Sequence, residues 1–67
     1  MEFDFPAAAP ERQRYIRSQY LQALATGDLT RRMRLYGRVT NEEAADLCRI
    51  FHDRKFRQRV LADLGMA

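Results

Sequence analysis

Between Ala44 and Phe51 the apolar residues Ala44, Leu47, Cys48 and Phe51 keep the three-four spacing of one helix face, and then the spacing fails. The next apolar residue after Phe51 is Phe56, five positions on, across the wholly polar His52-Asp53-Arg54-Lys55. A straight helix carried through this stretch would set Lys55 on the buried stripe. A turn removes the conflict: Asp53 is a good N-cap, and a helix begun there turns Phe56, Val60, Leu61 and Leu64 inward, with Gly65 placed to end it. The chain is therefore expected to bend near Asp53 rather than run on as one rod.

The boundary before that stretch is also well signalled. In Arg38-Val39-Thr40-Asn41-Glu42-Glu43, Thr40 and Glu43 have the spacing of a capping box, and Val39 is placed to staple against Ala44. Upstream, Phe5-Pro6-Ala7-Ala8-Ala9-Pro10 cannot start a helix before Pro10, and proline is well tolerated at a first helical position. Residues 1–10 are read as an arm in which Phe3 and Phe5 fold back onto the core. A first helix then runs from Pro10 or Glu11 to about Ala25, burying Ile16, Tyr20, Ala23 and Leu24, with Arg12, Arg14 and Arg17 on its other sides. Gly27-Asp28 interrupts it, and a short helix from Leu29 to Tyr36 puts Leu29, Met33 and Tyr36 inward before Gly37 ends it. The expected fold is all-α, with residues 11–67 forming one domain of four short helices; the alternative is a helical hairpin that dimerises into a four-helix bundle.

A chain of 67 residues can bury only about 60% of its unfolded surface, and one cysteine excludes an internal disulfide, so tight helix packing or a homodimer must make up the difference. No apolar run is long enough to cross a membrane, and the acidic start Met1-Glu2-Phe3-Asp4 is unlike a basic export signal, so the expected location is cytoplasmic. The net charge is +3, with arginine supplying eleven of the twelve cations. Arginine's planar fork of donors suits phosphates and guanine edges, although a helical surface can also carry it simply as a solvated face.

Catalysis finds little material. His52 is the only histidine, Ser18 the only serine and Cys48 the only thiol, so neither a catalytic triad nor a metal site is expected, and no cofactor is implied. Cys48 reads as a buried, inert member of the apolar stripe, and His52 as a turn residue. Glu42, Glu43 and Asp46 suit the first turns of their helix through its dipole.

The run Tyr36-Gly37-Arg38-Val39-Thr40-Asn41-Glu42-Glu43-Ala44-Ala45-Asp46-Leu47 resembles the start of the winged-helix and DeoR-like helix-turn-helix families, and Arg57-Gln58-Arg59-Val60-Leu61-Ala62-Asp63-Leu64-Gly65 is similar to their recognition helix. That resemblance, over residues 29–65, implies a DNA-binding regulator without a wing, its helices crossing closely at the small Ala44 and Ala45. Lys55, Gln58, Arg59 and Ala62 oppose the apolar stripe of the last helix. Gln58 suits adenine and Arg59 guanine, whereas Arg54, Lys55 and Arg57 are placed for phosphates, with Arg38, Thr40 and Asn41 touching the backbone from the preceding helix. A second, local resemblance points to RNA. Arg14-Tyr15-Ile16-Arg17-Ser18-Gln19 and Ala45-Asp46-Leu47-Cys48, followed by His52-Asp53, look like the two helices of the Rop family of dimeric RNA-binding hairpins, which implies Tyr15 and Gln19 as contacting positions. The third reading is a small phage or mobile-element protein that inhibits a host regulatory protein through a helical surface carrying Phe3, Phe5, Tyr15, Tyr20 and Tyr36.

Overall fold

The computed structural model describes residues 5–67, so the expectation for Phe3 lies outside the described residues. Among the described residues four helices follow one another: α1 (Pro10–Thr26), α2 (Leu29–Tyr36), α3 (Asn41–His52) and α4 (Arg54–Asp63). Phe5 does lie back toward α1, its ring 6.3 Å from that of Tyr15.

Each boundary has a local cause. Ala9 is extended and Pro10 opens α1, where a missing N–H costs nothing. At the far end Gly27 takes a left-handed φ of 71°, its N–H donates to the Leu24 carbonyl and that of Asp28 to the Ala23 carbonyl, the paired bonds of a Schellman stop. Gly65 ends α4 in the same way at φ 70°, with Gly65 N–H on Ala62 and Met66 N–H on Leu61. The Asp28 carboxylate accepts the Arg31 N–H at 2.9 Å and starts α2. The capping box is complete: Glu43 N–H donates to Thr40 Oγ1 at 3.2 Å, and Thr40 N–H to Glu43 Oε1 at 2.8 Å.

The bend falls where the apolar spacing fails. Asp53 is extended (φ −106°, ψ 102°) and is the single residue between α3 and α4. Its N–H closes α3 on the Arg49 carbonyl at 2.8 Å, while its Oδ1 accepts the Phe56 N–H at 3.0 Å and opens α4. One residue thus terminates one helix and caps the next. Helix from Asn41 to Asp63 is broken there, so in place of the two long rods of a hairpin bundle the described residues form four helices of 17, 8, 12 and 10 residues.

Ile16, Tyr20, Leu21, Leu35, Leu47, Ile50 and Val60 form the core, with Leu24, Tyr36, Val39, Phe56, Leu61 and Leu64 packed against it. Two faces are rolled relative to expectation. On α2, Leu29 and Met33 are 60% and 61% exposed, and Leu35 takes the buried position instead. An eight-residue helix has two turns, and its roll is set by what Tyr36 and Leu35 reach. The Tyr36 hydroxyl sits 2.8 Å from that of Tyr20, their rings edge to face at 5.7 Å. On α3, Leu47 and Ile50 are buried, while Cys48 and Phe51 are exposed; the inward position expected for Cys48 and Phe51 belongs to Ile50. Ala45 is exposed and Ala44 half-buried, so the small pair does not mark a close helix crossing through both residues.

Ion pairs account for the roll of α3. Arg12 on α1 donates to both carboxylate oxygens of Glu43 at 2.7 and 2.9 Å, and Arg17 donates to both of Asp46 at 2.8 Å. Glu43, Asp46 and Ile50 lie on one side of a helix, so holding the two carboxylates against α1 turns Ile50 into the core. Arg12 is itself buried, against the expectation that it lies off the stripe. Its spacing to Ile16, Tyr20 and Ala23 is in fact the spacing of the buried face, and only its charge argued otherwise.

Candidate nucleic-acid interface

The residues of α4 divide between two sides. Val60 is buried and Phe56, Leu61 and, just past the helix end, Leu64 are half-buried, whereas Arg54, Lys55, Gln58, Arg59 and Ala62 are exposed. The residues expected to meet a groove are therefore on the outside, and the residues expected to anchor the helix are on the inside. A helix of this length extends about 15 Å, enough to lie across a DNA major groove about 12 Å wide.

Arg57 behaves differently from its neighbours. It is half-buried and its Nη1 donates to the Phe51 carbonyl at 3.2 Å, satisfying one of the orphan carbonyls at the end of α3. Its guanidinium thus ties the joint between the two helices. Thr40 is engaged too, since its side-chain oxygen is the acceptor of the capping box. Asn41 is exposed in the first turn of α3, and the Arg38 carbonyl accepts from Arg12 Nη2 at 3.2 Å. Arg38, Thr40 and Asn41 stand at the start of α3, whereas Arg54 and Lys55 lie beyond its end, some 16 Å away along the axis at 1.5 Å per residue. The structure thus gathers Arg54, Lys55, Gln58 and Arg59 on one face and leaves the other three at the far end of α3.

Sequence reasoning missed Arg49. It projects from the last turn of α3, and its guanidinium carbon lies over the Phe56 ring at 4.1 Å. Arg59 approaches the same ring at 5.8 Å and Arg17 at 5.5 Å, so arginines from three helices converge on one aromatic side chain. The available signal was the four-residue step from Arg49 to Asp53, which sets a cation opposite the capping carboxylate. That pair is loose, with Nε 3.9 Å from Oδ2.

Electrostatics separates the two ends of the molecule. The hydrogen bond from Arg12 holds the Glu43 carboxyl below its ordinary range, assisted by Thr40, and the Arg12 and Arg17 guanidiniums are in turn raised by their bonds to Glu43 and Asp46. Asp53 is lowered chiefly by the Phe56 N–H, with Arg49 and Arg59 adding to it. Burial, then the bond with Tyr20, pushes the Tyr36 phenol well above its usual value. An open groove of about 480 Å³ lies between Ala7–Pro10 and α3, but Glu42, Glu43 and Asp46 line it, the wrong sign for a phosphate.

Groups with catalytic potential are dispersed. Cys48 is exposed, with its Sγ 3.8 Å from the Tyr36 hydroxyl; His52 stacks edge-on against Phe51 at 5.0 Å; and Ser18 accepts a bond from Gln22. Among the described residues no three His, Cys, Asp or Glu side chains gather as a metal would require, and no helix is long and apolar enough to cross a membrane. The positions implied by the Rop resemblance are partly occupied, Tyr15 by its contact with Phe5 and Gln19 by a hydrogen bond from Arg31. Comparison of the chain with family models, with curated proteins and with solved structures finds no match.

Proposed function

We propose that this chain is a DNA-binding protein that lays α4 in the major groove. The observation that carries the reading is the division of α4, with Arg54, Lys55, Gln58 and Arg59 exposed together opposite Val60. In this arrangement Gln58 pairs with an adenine edge and Arg59 with a guanine edge, each through two hydrogen bonds. Arg54 and Lys55 hold phosphates, and Arg57 keeps the helix at its angle by its bond to Phe51. Arg38 and Asn41, at the other end of α3, add backbone contacts only if the duplex extends past that end. Two copies reading two half-sites would double the footprint of a domain this small.

Selection from a randomised duplex pool, followed by a mobility shift, tests the reading. The Gln58→Ala/Arg59→Ala double variant is expected to lose sequence-selective binding with its helical content intact, and unchanged selectivity would remove α4 as the reading element. A steep loss of binding with salt is expected because several cations displace counterions.

A second reading has its own observation. Leu29 at 60%, Met33 at 61% and Phe51 at 40% exposure leave apolar surface on α2 and α3, which suits a protein partner, either a host protein or a second copy. Binding through that surface would be weakened by Met33→Glu and would change little with salt, opposite to the behaviour expected of α4.

A further inference from the structure

Arg49 stands in the last turn of α3, beside the joint with α4, and three observations bear on what it can do. Its guanidinium carbon lies over the half-buried Phe56 ring at 4.1 Å, a cation–π contact that holds the group against the ring. Its side chain is nonetheless 58% exposed, and the Asp53 carboxylate is 3.9 Å away, beyond hydrogen-bond length. The ring beneath it is itself braced, because Arg17 approaches Phe56 at 5.5 Å while locked to Asp46 by two bonds of 2.8 Å.

We propose that Arg49 is a pre-positioned phosphate anchor, one that grips a backbone phosphodiester beside the base pairs read by α4. The proposal rests on the DNA-binding reading for its physiological ligand. A guanidinium held against a ring yet 58% exposed keeps N–H donors open to solvent, and those donors match a phosphate's oxygens. An exposed arginine normally loses rotamer freedom on gripping a phosphate; Arg49 has lost much of it already on Phe56. Arg59 borders the same ring at 5.8 Å, so Arg49 continues the basic face of α4 onto the end of α3. A phosphate held there fixes the register in which Gln58 and Arg59 meet base edges, and Phe56 acts as the positioning residue.

Two arms test the anchor. In the first, duplex affinity is measured across a salt series for the full chain and its variants. Arg49→Ala is expected to weaken selected and random duplexes alike, about eightfold at 0.1 M salt, and to reduce the slope of log affinity against log salt by about 1. Arg49→Lys keeps the charge and hence the slope but loses the fork, so its affinity falls between the two. Phe56→Leu keeps an apolar group in the core and is expected to lower affinity with the slope unchanged. In the second arm, inorganic phosphate is titrated into the full chain while the arginine Nε–Hε signals are followed, with exposed Arg34 as the comparison. Arg49 is expected to shift together with the Phe56 ring protons and ahead of Arg34.

The outcomes separate the two ideas. Duplex binding that depends on Gln58 and Arg59 but ignores Arg49→Ala, with no preferential shift of Arg49 by phosphate, overturns the anchor and leaves the groove reading standing. No duplex binding by the wild-type chain, with a selective phosphate shift at Arg49, retains the anchor and removes the groove reading. A shift at Arg49 no larger than at Arg34 and an unchanged salt slope reject the anchor whichever duplex is used.

Discussion

The arginines between α1 and α3 and those around α4 are the same residue type put to opposite uses. Arg12 and Arg17 each give two hydrogen bonds to one carboxylate, and side-chain exposures of 9% and 20% keep those bonds out of bulk water. Arg54 and Arg59 are exposed on α4, and the approach of Arg49 to Asp53 is 3.9 Å. An arginine whose charge is matched within the fold is a structural part; one whose charge is left unmatched remains available to a ligand. Counting cations could not have separated the two groups, because the separation depends on where the acids fall.

The largest way to break this contrast is to remove a matched arginine. Arg12→Ala leaves Glu43 against α1 without its partner and is expected to cost about 2–3 kcal/mol, read as a lower urea midpoint. For a domain this small that is a large share of the total. A smaller loss of about 1 kcal/mol is expected from Arg17→Ala, because that pair is more solvated, its partner's side chain being 23% exposed.

Acid sharpens the comparison from the carboxylate side. Glu43 is held below its ordinary value of 4.5, so the folded chain binds fewer protons than the unfolded chain just below that pH. The stability it contributes is complete above that value and is lost as pH falls through the lowered one. Urea midpoints measured downward from pH 5 are expected to decline, and less steeply in Glu43→Gln. Asp53 is lowered as well, so part of the decline survives in that variant.

The smallest effect on stability is expected from the unmatched group. Arg54→Ala and Arg59→Ala should stay within about 0.5 kcal/mol of the parent, since both side chains are exposed. A similar insensitivity is expected of Leu29→Ala, while Leu35→Ala on the same helix should cost about 2 kcal/mol or more. Equal losses at Leu29 and Leu35 in thermal or urea unfolding would show that α2 packs with a different roll.

Much of the local architecture was legible from residue order. Thr40 with Glu43, Asp28, Asp53, Gly27 and Gly65 act through bonds within a few positions of themselves, so the breaks between helices fall where those residues stand. The candidate face of α4 was legible for the same reason, because the side opposite Phe56 and Val60 follows from helical geometry alone. Arg57 and Arg49 were not. Arg57 turns back to a carbonyl of the preceding helix, and Arg49 finds its ring across the bend, so both depend on the angle between α3 and α4.

Sequence by itself determined where each helix begins and ends and that the chain bends at Asp53, since capping and left-handed stops are short-range bonds. Tertiary structure alone decided how far α2 and α3 are rolled about their axes: Leu35 rather than Met33 is inside, and Ile50 rather than Phe51. Roll is settled by contacts between helices, here the bonds from Arg12 and Arg17 to Glu43 and Asp46 and the Tyr20–Tyr36 pair, whose partners lie 31, 29 and 16 positions apart. No periodicity within a single helix carries that information.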